Sequence, residues 1–145
     1  MAPLTERGTT ALVLYDEDCG FCRWSAERLR AWDRRRRLAF RSIQAAERDG
    51  VLDALDPGAR YASWHVVTHD GRLWSAGAAV PPLMWRLPGG TPLGVLAERF
   101  PGATDRLYRS VARHRGRLGT LIGEQACAVD PDRMSGAPHT LGATR

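Results

Sequence analysis

Tyr15-Asp16-Glu17-Asp18-Cys19-Gly20-Phe21-Cys22 closes an apolar run that begins at Ala11-Leu12-Val13-Leu14. It leads straight into Arg23-Trp24-Ser25-Ala26-Glu27-Arg28-Leu29-Arg30-Ala31-Trp32. A short apolar run followed by an amphipathic stretch reads as strand, loop and helix, and the Cys pair then opens the helix. A thiol at a helix N-terminus feels the positive end of the macrodipole, which favours its thiolate. Thiolate is the nucleophile of disulfide exchange, and a second thiol one turn away resolves the mixed disulfide within the molecule. The pair Cys19 and Cys22 is therefore the candidate redox centre.

Other readings of the pair stay open. A C-x-x-C can be half of a zinc site, and zinc wants four ligands. The one other cysteine is Cys127, and His65, His69, His114 and His139 are scattered singly. A metal-binding module would have to use Cys19, Cys22, Cys127 and one of these histidines. Covalent haem attachment needs His directly after the second Cys, and position 23 is Arg.

A chain of 145 residues suits one domain that folds without a disulfide staple. Three cysteines form an odd, low count, which argues against a secreted disulfide framework. The N-terminal residues carry no apolar signal core, and no run approaches the roughly 20 apolar residues of a membrane span. The expected compartment is the cytoplasm.

All 21 cationic residues are Arg, and the net charge is +5. Arg clusters between Arg23 and Arg48 and again between Arg99 and Arg117, whereas Asp16, Glu17 and Asp18 make the motif loop acidic. A basic surface suits an acidic partner, which keeps open an Arg-rich interaction protein with an incidental Cys pair. No nucleic-acid motif accompanies the charge, so the expectation is a solvated surface and no nucleic-acid partner.

Along the chain the pattern predicts strand one over 11–15 and helix one over 19–36, with Arg34-Arg35-Arg36-Arg37 at its C-terminal end. Strand two is expected over 38–43 and a short helix over 44–55, and Asp56-Pro57-Gly58 is a turn. A hairpin follows, with 64–68 and 72–75 around His69-Asp70-Gly71. Helices are expected through Leu83-Met84-Trp85, from Pro92 to Phe100 and over 104–117. Leu107, Tyr108, Val111 and Ala112 form the apolar face of the last. The domain is expected over 10–127, with flexible termini 1–9 and 128–145.

This order, a βαβ unit with parallel strands and then a hairpin and helices, with C-x-x-C after strand one, resembles the thioredoxin fold. The fold class expected is α/β: a small mixed sheet flanked by helices, with extra C-terminal helices. The match to thioredoxin proper is partial. Ser63 stands where thioredoxins carry a cis-proline, and Val13 where they carry a buried Asp. A closer resemblance is to the DCC family of predicted thiol-disulfide oxidoreductases, named for an Asp, Cys, Cys signature. Asp16, Cys19 and Cys22 match it, and the likeness continues through Asp70-Gly71, Gly77-Ala78-Ala79, Pro101 and 108–115 to Cys127 and Pro131. Two departures are Glu17, where the family often has Gly, and Pro81-Pro82, expected to interrupt a helix.

The resemblance implies thiol-disulfide exchange with a protein or low-molecular-weight thiol or disulfide partner, with no cofactor. Cys19, expected to be the more exposed sulfur, attacks, and Cys22, on the inner side of the helix, resolves. Asp16 either takes and returns the Cys22 proton or caps the loop before the helix. Phe21 and Trp24 either flank the pair as a docking surface or belong to the core. Cys127 is either a third redox thiol or a buried, inert one.

Overall fold

β1, Ala11–Tyr15, sits inside a four-stranded sheet of order β2-β1-β3-β4. The computed structural model describes residues 10–123; the two termini and Cys127 lie outside the described residues. β2 (Leu38–Ser42) runs parallel to β1, β3 (His65–Thr68) antiparallel to it, and β4 (Leu73–Ser75) antiparallel to β3. This mixed sheet with flanking helices is the thioredoxin-like α/β arrangement expected from the motif order.

β1 is apolar at consecutive positions because both of its faces are covered. Ala11 and Val13 pack with Val66, Leu29, Ala79 and Leu83 on one side, while Leu12 and Leu14 pack with Val67, Ile43 and Leu52 on the other. Each buried Leu or Val contributes about 1.5–3 kcal/mol.

α1 (Gly20–Trp32) lies on the Val13 face and buries Ala26 and Leu29. It ends earlier than its pattern predicts. Asp33 is buried, and its carboxylate accepts the backbone N–H groups of Arg37 (3.1 Å) and Leu38 (2.8 Å). Arg36 takes φ 50°, which turns the chain into β2. The run Arg34–Arg37 thus forms the connecting turn, and only Arg30 sits in the last helical turn.

The expected helix over 44–55 is shorter and shifted. Ser42 caps α2 (Ile43–Arg48) by accepting the N–H of Ala45, and a second short helix, α3, covers Pro57–Arg60. Pro81-Pro82 does not interrupt a helix. The two prolines stand at the start of α4 (Val80–Met84), after a 3-10 turn at Ala76–Ala79. In the first helical turn a missing N–H costs nothing. α5 covers Thr91–Arg99. Pro101 likewise opens α6, so α6 runs over Pro101–Leu121 and exceeds the expected 104–117.

α6 crosses close to the 3-10 turn. A Cβ on Gly77 would lie 2.6 Å from the Cα of Asp105, so glycine is required for the approach. The approach brings α6 over the same side of the sheet as α1. Among the described residues no helix is long and apolar enough to cross a membrane.

Candidate redox site

Cys19 is the N-cap of α1. Its sulfur accepts the backbone N–H of Cys22 at 3.3 Å, so one of the helix's unpaired first-turn donors points at it. The Cys22 sulfur lies 2.6 Å from the Cys19 sulfur, within bonding reach. Cys22 is a free thiol, whereas Cys19 is held in a disulfide. Burial pushes it from its ordinary 9.0 up to about 11. The nearby Arg115 guanidinium opposes that shift, and the Asp16 carboxylate adds to it.

The exposures differ from expectation. Cys19 is 0% exposed, and Cys22 is half-buried. The first sulfur is engaged in a disulfide, while position 22, one turn on, shares a cavity wall with residues of α6.

Asp16 follows β1 directly and holds the motif loop. One carboxylate oxygen accepts the N–H of Asp18 at 3.0 Å and a Gln44 side-chain N–H at 2.7 Å. Gln44 also donates to Asp18 at 3.2 Å and accepts the N–H of Glu17 at 3.3 Å. Arg23 donates to the Glu17 carbonyl at 2.7 Å. The loop-capping role read from the sequence is therefore present. Asp16 also shares a cavity wall with Cys22, so a proton-carrying role is open to it.

That cavity has a volume of about 310 Å³ and lies between the motif, Tyr61–Trp64 and α6. Its walls are mainly apolar: Phe21, Ile43, Trp64, Val80, Leu107 and Val111. Its polar groups are few. Tyr108 accepts the backbone N–H of Trp64 at 3.0 Å, and burial raises its phenol to about 12. Arg115 is held by the Tyr61 carbonyl, at 3.4 and 3.5 Å from its two terminal nitrogens. Trp64 stacks on Tyr108, and its indole N–H is buried without a partner among the described residues.

The structure brings Asp16, Cys19 and Cys22 together at the mouth of α1. Phe21 lines the cavity and stacks on Trp24 at 5.9 Å between centroids. Trp24 is half-buried, with the Arg28 guanidinium over its ring. Ser63 also lines the cavity, and no cis peptide bond occurs among the described residues. His65 and His114 are engaged elsewhere. His65 bonds Ser75 and the Arg60 carbonyl, and His114 bonds the Ser110 carbonyl. Among the described residues no group of three His, Cys, Asp or Glu side chains could hold a metal ion.

Sequence reasoning missed Gln44, Arg115 and the cavity side of Tyr108. A signal existed for Arg115. It continues the Tyr108–Val111–Ala112 face at helical spacing, so a cation on an otherwise apolar stripe marked it.

Residues 13–121 match the family model described as DCC1-like thiol-disulfide oxidoreductase. No curated protein and no solved structure matches the chain.

Proposed function

The chain belongs to the DCC1-like thiol-disulfide oxidoreductase family, and from that premise we propose that it exchanges a Cys19–Cys22 dithiol and disulfide with a thiol or disulfide partner. The observation that carries this reading is the 2.6 Å approach of the two sulfurs at the start of α1. In the exchange, two thiols lose two electrons and two protons to become the bridge, and the partner disulfide takes them up as two thiols. The amide of Cys22 at the helix start donates to the Cys19 sulfur. The Cys22 thiol holds its proton more tightly than an ordinary thiol does, so it needs a local acceptor. Asp16, on the same cavity wall, takes that proton when Cys22 reacts and returns it when Cys22 is released.

The test is oxidation of the full chain followed by peptide mass spectrometry and an assay of exchange with a model disulfide. The expected result is a loss of two hydrogens within the peptide carrying Cys19 and Cys22, reversed by dithiol. Exchange should be lost in both Cys19→Ser and Cys22→Ser. Oxidation that never joins these two cysteines, or exchange that persists in both variants, would refute the reading.

A further inference from the structure

α6 leaves an apolar stripe open to solvent. Leu107, Val111, Leu118 and Leu121 fall on one face at helical spacing. Leu107 is 69%, Val111 39% and Leu121 81% exposed, and Leu118 is half-buried. Arg106, Arg113 and Arg117 are exposed, and the same spacing sets them along one flank of the stripe. From Arg106 to Gly123 the chain carries Arg106, Arg109, Arg113, Arg115 and Arg117, and no Asp or Glu. We propose that this face of α6 docks on the surface of an anionic phospholipid bilayer, with the apolar stripe in the interface and the flanking arginines on the headgroups. The docking involves no redox step, so it stands apart from the exchange activity proposed above.

Charge selects the occupant. A second copy seated on this face would set arginine against arginine, with no carboxylate between residues 106 and 123 to relieve the repulsion. A surface of anionic headgroups attracts each of these guanidiniums, and an apolar stripe beside a row of Arg is the pattern of a helix that lies in that interface. Shape favours the bilayer over an acidic protein. Leu107 and Leu121 stand out into solvent, and a protein partner must supply a matching pocket for each, whereas acyl chains flow around them. Exposed apolar side chains continue into α5, which meets α6 at Phe100. There Leu93, Leu96 and Phe100 are 52%, 55% and 55% exposed. Leu107 and Val111 also line the cavity beside Cys22, so docking brings the mouth of that cavity to the lipid.

The test is co-sedimentation of the full chain with vesicles. One set holds equal parts of phosphatidylcholine and phosphatidylglycerol, the other phosphatidylcholine alone. The expected result is binding to the mixed vesicles, weakened by added salt, and little binding to the neutral ones. Leu121→Asp should weaken binding about tenfold, as loss of one inserted Leu does. It should leave the unfolding midpoint and exchange with a model disulfide unchanged. Arg113→Gln with Arg117→Gln should weaken binding about thirtyfold. Arg34→Gln with Arg35→Gln removes the same charge in the turn after the far end of α1 and should weaken it much less. Equal loss in the two double variants, or binding that Leu121→Asp does not change, overturns the assignment to α6. No binding to the mixed vesicles overturns the docking itself. The occupant is then a second copy if sedimentation velocity shows a dimer that Leu121→Asp dissociates, and an acidic protein if the chain is monomeric.

Discussion

The Cys22 proton is hard to remove because the sulfur is buried, and the groups around it pull in opposite directions. Arg115 favours the thiolate and Asp16 disfavours it. Alkylation of Cys22 in reduced protein should therefore follow a midpoint near pH 11, above the ordinary 9.0. Asp16→Asn should lower that midpoint and make alkylation at pH 8 several-fold faster. Arg115→Gln should raise it and slow the reaction. Peptide-resolved alkylation rates check both, and an unchanged midpoint in both variants would remove the electrostatic argument.

His65 gives a second residue-scale prediction. It is buried in β3 and satisfied as a neutral ring, with one nitrogen 2.7 Å from the Ser75 hydroxyl and the other 2.9 Å from the Arg60 carbonyl. Burial lowers its pKa below 6.5, while the Arg60 carbonyl opposes the shift. The folded state thus binds this proton less well than the unfolded state. The stabilisation is complete above pH 6.5 and is lost as pH falls through the folded pKa. Urea midpoints should drop between pH 7 and pH 5, and His65→Phe should flatten that slope. The same substitution should cost about 1–3 kcal/mol at pH 7, because it leaves the Arg60 carbonyl and Ser75 hydroxyl unpaired.

At the scale of elements, sequence was most informative where a site is built from neighbours in the chain. Asp16, Cys19 and Cys22 are read directly from one strand–loop–helix segment, and the structure keeps them together. Arg115, Tyr108 and Gln44 reach the same site from other elements. Only the packing of α6 and α2 around the motif reveals them, and no local pattern encodes that packing. Boundaries failed for a related reason. Asp33 stops α1 by accepting the backbone N–H groups of Arg37 and Leu38 at the entry to β2, and that capping use of a carboxylate leaves no mark on helical periodicity. The prolines of α4 and α6 were misread because the same residue ends one helix and begins the next.

The contact between the 3-10 turn and α6 fixes the cavity wall, and Gly77 permits it. Gly77→Ala would put its methyl group 2.6 Å from the Cα of Asp105, and a backbone atom cannot swing aside as a side chain can. The substitution should destabilise the fold by about 1–3 kcal/mol, as overpacking generally does. It should also displace α6 and so change the reactivity of Cys22. Gly116→Ala, inside the same helix with open space around it, should instead raise stability by about 0.5–1 kcal/mol. Denaturation midpoints of the two variants compare them directly, and equal midpoints would show that α6 adjusts without strain.

For the whole molecule, alkaline pH isolates the energetics of this one region. The chain has no lysine, so few side chains titrate between pH 9 and 12. Two that do, Cys22 and Tyr108, face the same cavity. Burial raises Cys22 from 9.0 to about 11 and Tyr108 from 10.0 to about 12. A raised folded pKa means that the folded state holds the proton more tightly than the unfolded state does. The resulting stabilisation is complete below the unfolded value and is lost as pH rises through the folded one. Unfolding free energy should therefore hold steady to about pH 9 and then fall, Cys22 contributing first and Tyr108 about one unit later. Two units correspond to roughly 2–3 kcal/mol for each group, an upper figure for sites that keep some contact with solvent. Urea titrations at half-unit steps from pH 8 to 11 measure the curve on fully reduced protein. Cys22→Ser should remove the first part of the decline, and the double variant with Tyr108→Phe should remove most of it. A decline of the same size in the double variant would place the alkaline weak point elsewhere and would show that the cavity is open enough to water to hydrate both anions.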